Sequence, residues 1–181
     1  MSEDLQLEFS RPFDVAGVGT QEKLLVLEAK PEERRALAGR LGLPEIARFV
    51  TEITLRRESS ELIALEGRFE ARLTQVCVLT GEPFETEARG GFTRRYLEGR
   101  AAELPEEDID PEADDPPEAL GPEGLDLGEV AAEELSLALD PYPRKPGARL
   151  EKSRYGESEE EAEKGRNPFA VLAGLKDRKP S

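Results

Sequence analysis

Between residues 62 and 79 the chain alternates with a period of two. Ile63, Leu65, Gly67, Phe69, Ala71, Leu73, Gln75, Cys77 and Leu79 hold the odd positions, while Glu66, Arg68, Glu70, Arg72 and Thr74 hold even ones. Successive side chains of a strand point to opposite faces, so this run predicts one long strand with one buried and one wet face. Gly67 is the expected place for a bend or bulge. Beyond Thr74 both parities turn apolar, with Val76 and Val78 joining in, which predicts cover on both faces around Cys77. Thr80-Gly81-Glu82-Pro83 is a turn sequence. Residues 84–97 then return with Phe84, Thr86, Ala88, Phe92 and Tyr96 on one face and a bulge expected at Gly90-Gly91. A hairpin of this length dictates a sheet.

The flanking segments extend it. Leu5, Leu7 and Phe9 alternate in residues 4–9, and 23–29 and 48–57 are further strand candidates, the last with Phe49, Ile53 and Leu55 on one side. In PEERRALAGRLG, proline at the first helical position, two early glutamates and a closing Gly42 predict a helix from Pro31. Asp126 and Glu129 form a capping-box-like start for a second helix over 126–140. Its apolar face would be Leu127, Val130, Ala131, Leu135 and Ala138, and Pro141 would end it. The expected fold is α+β: a twisted antiparallel sheet, or partly open barrel, of five or six strands with a few packed helices. It forms one domain over residues 1–143.

Charge divides the chain unevenly. The net charge is −15, yet residues 101–143 contain no Lys or Arg and hold 15 Asp and Glu, while the remainder carries 25 of each sign. Residues 103–124, punctuated by Pro105, Pro111, Pro116, Pro117 and Pro122, form a long acidic loop. Such a segment is either a solvated loop or a patch that mimics nucleic acid or engages a basic protein. Residues 144–166 are a charged linker. Asn167-Pro168-Phe169 then opens a short apolar helix, 167–176, that must dock on its own domain or on a partner. The first residues lack a basic segment followed by an apolar run, and no window has the roughly 18 to 20 apolar residues of a membrane span. The expected setting is the cytoplasm.

Catalysis finds little to work with. The chain has no histidine and one cysteine, which removes the commonest general base and the usual nucleophile–base arrangements. No phosphate-binding glycine loop occurs. The acidic stretch DIDPEADDP lacks the spacing and central glycine of a calcium loop. Cys77 alone cannot hold zinc, which takes about four Cys or His ligands. Its strand position predicts a buried thiol. No enzyme activity, cofactor, metal or small-molecule substrate is expected.

Two segments carry a resemblance. QVCVLTGEPF at a strand end, followed by an acidic loop, LDLGEVAAEELSLALDPYPR and a terminal NPFAVLAGLK, resembles the large ribosomal RNA subunit accumulation protein (YceD-like) family, most closely its alphaproteobacterial branch. Gln75, Cys77, Pro83 and Phe84 match the first motif, with Thr80 standing where many relatives have a second cysteine. Asp126, Leu127, Glu129, Glu133, Glu134, Leu137 and Pro141 match the second. The resemblance implies a part in accumulating the large-subunit (23S) rRNA, with that rRNA, its precursor particle or a basic ribosomal protein as partner. Candidate contacts are Arg68 and Arg72 on the wet strand face, Arg89, Arg94 and Arg95 on the returning strand, and Tyr96 for base stacking. The competing expectation is that Arg68 and Arg72 pair with Glu66, Glu70, Glu85 and Glu87 across the hairpin.

Overall fold

The long alternating run forms the centre of a five-stranded sheet. The computed structural model describes residues 8–98, 116–121 and 124–149. The elements are β1 (Pro12–Phe13), β2 (Lys23–Glu28), α1 (Pro31–Arg40), β3 (Glu45–Arg57), β4 (Leu62–Val76), β5 (Pro83–Leu97), β6 (Glu118–Ala119), β7 (Leu125–Asp126) and α2 (Leu127–Ala138). A single 3₁₀ turn spans Val15–Gly17. The sheet runs β2-β3-β4-β5-β6, and β1 pairs with β7 in a separate two-stranded ladder. This is the expected α+β class, but the sheet is mixed: β6 joins β5 in parallel, at Tyr96↔Glu118 and Leu97↔Ala119. The acidic loop therefore ends in a strand. The chain divides into two units, Met1–Lys145 and Pro146–Ser181, and the sheet belongs to the first. Residues 4–7 of the strand expected over 4–9, most of the acidic loop, the linker from 150 and the helix at 167–176 lie outside the described residues.

Inward side chains of β3 and β4 make the core. Phe49, Ile53, Leu55, Ile63 and Leu65 are completely buried, and Leu73 nearly so. The helices α1 and α2 contribute Leu37, Ala131 and Leu135 to one half, where Phe9 packs on Phe49 with ring centroids 5.5 Å apart. Leu127 and Val130 join Ile53, Leu55, Ile63 and Tyr96 in the other. Phe9 lies in a turn rather than on a strand. Within α2, Ala132 is buried and Ala138 exposed, because the helix ends at Ala138, two residues before the expected stop.

The bulges fall elsewhere than expected. β4 and β5 pair without interruption from Leu62↔Leu97 to Val76↔Pro83. Their glycines serve packing instead. A Cβ on Gly67 would stand 2.2 Å from the Phe92 ring, and one on Gly90 would stand 2.6 Å from Phe69. Each ring lies over the glycine of its cross-strand partner, Gly67↔Phe92 and Phe69↔Gly90. The register shift is in β3, between Ile46 and Arg48. That extra residue lets both Ile46 and Phe49 face inward although three positions separate them.

Candidate nucleic-acid interface

The outer face of the sheet carries charge row by row. Arg48, Arg72 and Glu87 lie side by side on β3, β4 and β5, next to a row of Val50, Glu70 and Arg89 and another of Glu52, Arg68 and Gly91. Arg72 reaches Glu87 at 3.8 Å, and Arg89 meets Glu87 at 2.8 Å and Glu70 at 3.7 Å. The cross-strand pairing expected from sequence therefore holds for Arg72. Its side chains are about half exposed, a setting where such pairs contribute little. Arg68 has no ion pair among the described residues, and neither has Arg48. Arg48 and Arg72 face each other directly, a like-charge juxtaposition that costs free energy and that an anion between them would relieve. Sequence inspection passed over Arg48, although a strand over 48–57 with Phe49, Ile53 and Leu55 on one side sets it on the other; what the sequence lacks is the register that places it opposite Arg72.

Two predicted contacts are withdrawn from this face. Arg94 shares the inward parity of Phe92 and Tyr96 and is only 16% exposed. Its guanidinium is clamped by Glu134 at 2.7 Å and Glu133 at 2.9 Å on α2, with Glu118 of β6 at 3.6 Å. Burial opposes its charge, but these carboxylates raise its pKa above the ordinary value. Tyr96 is 4% exposed, so it cannot stack on a base. Burial, and then the Glu118 carboxylate, push its phenol up to about 12. Arg95 does point outward, across Ala64 from Arg56, at a polar cleft of about 540 Å³.

The two sequence motifs meet at the far end of the hairpin. β4 stops at Val76, and Cys77 opens a turn in which its N–H donates to Glu82 O (2.9 Å) and its carbonyl accepts from Gly81 N (2.8 Å). Gly81 takes a φ of 72°, where a side chain would be strained. Val76 and Val78 are 44% and 51% exposed, so this end is open on one face rather than covered on both. The segment after α2 is stitched to it. Gln75, nearly buried, donates from Nε2 to Asp140 O (3.2 Å), Val78 N donates to Pro143 O (2.9 Å), and Lys145 Nζ meets Glu82 (2.9 Å). Pro83 opens β5 and pairs with Val76, and Phe84 pairs with Gln75.

Cys77 is buried, as its strand parity predicts, yet its surroundings are polar. The Thr80 hydroxyl, then the amide of Lys145 and those of Thr80 and Leu79, bring its thiol down to about 7. Thr80 thus acts on the sulfur from the place of the second cysteine. No group of three or more metal-ligating side chains occurs among the described residues. A thiol depressed in the folded state stabilises the fold above its unfolded pKa, near 8.5 to 9, and that stability is lost as pH falls through about 7. Unfolding midpoints followed from pH 6.5 to 9.5 should therefore rise more in the native protein than in Cys77→Ser. Parallel curves would refute the hydrogen-bonded thiolate.

At the other motif, Asp126 caps α2. Burial alone would raise its carboxyl, but hydrogen bonds from Ser10 Oγ and from the amides of Arg11, Glu129 and Gly128 hold it below the ordinary carboxylate range. Glu129 turns away from the expected capping box and pairs with Arg40 of α1. Leu127 is buried, Leu137 is 77% exposed, and Pro141 follows the helix end in an exposed bend. Motif carboxylates Glu129, Glu133 and Glu134 are thus structural partners of arginines.

No helix among the described residues is long and apolar enough to cross a membrane. No curated protein and no solved structure matches the chain significantly. Residues 65–176 do match a family model, and they include all but the first three residues of the β4–β5 hairpin, its Cys77 turn and the α2 segment stitched to it. That match covers more than half of the chain, which therefore belongs to the family of the large ribosomal RNA subunit accumulation protein YceD.

Proposed function

We propose that the protein promotes accumulation of large-subunit rRNA by binding the RNA backbone through the outer face of its sheet. The family is named for accumulation of the large ribosomal RNA subunit, which places it in ribosome biogenesis. The observation that carries the reading is the direct opposition of Arg48 and Arg72, with Arg68, which has no ion pair among the described residues, four residues along β4, about 13 Å away at strand rise. Like charges opposed on a sheet are a local fault, and such faults belong at working surfaces. Phosphate contacts of this kind position an RNA without reading its bases. The acidic interval 101–143 favours a second reading, an adaptor that shields a basic ribosomal protein before assembly.

Sedimentation with precursor large subunits separates the two. RNA binding predicts that the native protein travels with the particles at low salt and leaves them as salt rises. Competition by naked large-subunit RNA should also release it, and the triple variant Arg48→Gln, Arg68→Gln, Arg72→Gln should bind weakly from the start. Binding to isolated basic ribosomal proteins, indifferent to competing RNA and to those arginines, would establish the adaptor instead.

A further inference from the structure

The outer face of β3, β4 and β5 presents no aromatic side chain. It can hold phosphates, but it offers no platform for a base. Among the described residues Tyr142 is the one exposed aromatic, at 70%. We propose that Tyr142, held out from the corner where the two motifs meet, stacks on an unpaired base of RNA, with Arg144 contacting an adjacent phosphate. The proposal rests on the RNA-binding reading above and gives it a second, separate contact.

Exposed side chains are common and usually mean nothing. Here the backbone beneath the ring is fixed from both sides. Pro141 and Pro143 restrict the chain around it. Tyr142 N donates to Asp140 Oδ1 at 2.8 Å, Asp140 O accepts from Gln75, and Pro143 O accepts from Val78. Lys145 closes the segment on Glu82. A ring presented on so anchored a chain loses little entropy when a base covers it, since only its two side-chain torsions are ordered.

Exposed Arg144, two residues on, supplies the positive charge that a phosphate beside the ring would meet. Half-exposed Val78 donates its N–H to Pro143 O, so the chain on which Tyr142 stands is tied to the hairpin turn. Arg144 is the first basic residue after position 100 and has no ion pair among the described residues. Tyr142 and Arg144 are both exposed and two positions apart, and an aromatic ring with a nearby guanidinium on the same short segment suits single-stranded RNA, one part taking the base and the other the phosphate.

The test uses the full chain and a single-stranded RNA of about ten nucleotides carrying one 2-aminopurine, whose fluorescence falls on stacking. Native protein should quench it. Tyr142→Ala should weaken binding roughly ten-fold and abolish the quench while leaving the salt slope unchanged. Tyr142→Phe should behave as native, and Tyr142→Leu, apolar but unable to stack, should behave as Tyr142→Ala. Arg144→Gln should lower the salt slope by about 0.7. Native affinity in Tyr142→Ala or Tyr142→Leu, or loss in Tyr142→Phe, would overturn the stacking role. If the triple arginine variant is impaired while Tyr142→Ala is not, this proposal alone fails. If the native protein binds no RNA, the RNA-binding reading fails and takes this proposal with it.

Discussion

Gly128→Ala is expected to cost roughly 3 to 5 kcal/mol and to lower the unfolding temperature by about 10 °C or more. A Cβ at this position would lie 1.9 Å from the Phe9 carbonyl oxygen and 3.0 Å from Arg11 N. Both are main-chain atoms, so no side chain can swing aside. The segment crossing α2 could only move away as a unit. That movement would break Leu127 N to Arg11 O (3.0 Å), Arg11 N to Asp126 Oδ1 (2.7 Å) and the Ser10–Asp126 bond, each worth about 1 kcal/mol. It would also lift Phe9, now 1% exposed, from Phe49, at about 1.5 to 3 kcal/mol. Gly17→Ala, with nothing within 4 Å, is the control and should change stability by less than about 0.5 kcal/mol. Equal melting of the two variants would show that the crossing is looser than its contacts imply.

Arg94→Ala should cost about 2 to 4 kcal/mol. The side chain ties β5 to α2 and β6, and its removal leaves Glu134, itself only 16% exposed, beside Glu133 and Glu118 without a cation. Breaking a buried pair from one side is expensive because the remaining charge stays desolvated. The figure sits below that of a fully buried pair because Glu133 and Glu118 are about half exposed and screened by water. Adding Glu134→Gln to Arg94→Ala should recover about 1 to 2 kcal/mol, read as a coupling energy in a double-mutant cycle. Strict additivity would mean that the contact does not hold α2.

These packing effects show which parts of the fold were legible in advance. The β4–β5 hairpin could be read because one face is wet, which makes the period of two visible. The helix starts at Pro31 and Asp126 could be read because caps are local. The bulges could not. Glycines at 67, 90 and 91 look like breaks until the register shows that two of them receive Phe92 and Phe69 from the neighbouring strand. The true bulge beside Ala47 has no glycine to mark it. Arg94 and Tyr96 were misplaced for another reason: a cation and a phenol suggest a surface, although their parity with Phe92 already placed them inside. The parity of Phe49, Ile53 and Leu55 already turned Arg48 outward, but its place opposite Arg72 came only with the β3–β4 register, and the setting of Tyr142 only with the corner around Cys77.

The central claim is that the outer sheet face binds RNA phosphates, and the salt dependence of affinity for a large-subunit rRNA fragment tests it most directly. Each phosphate neutralised adds about 0.7 to 0.9 to the slope of log K against log salt. Removing Arg48, Arg68 and Arg72 together should therefore make that slope shallower by about 2, with the unfolding midpoint not lowered, since all three are exposed and the opposition of Arg48 and Arg72 is relieved. An unchanged slope in a variant that still folds would contradict the account.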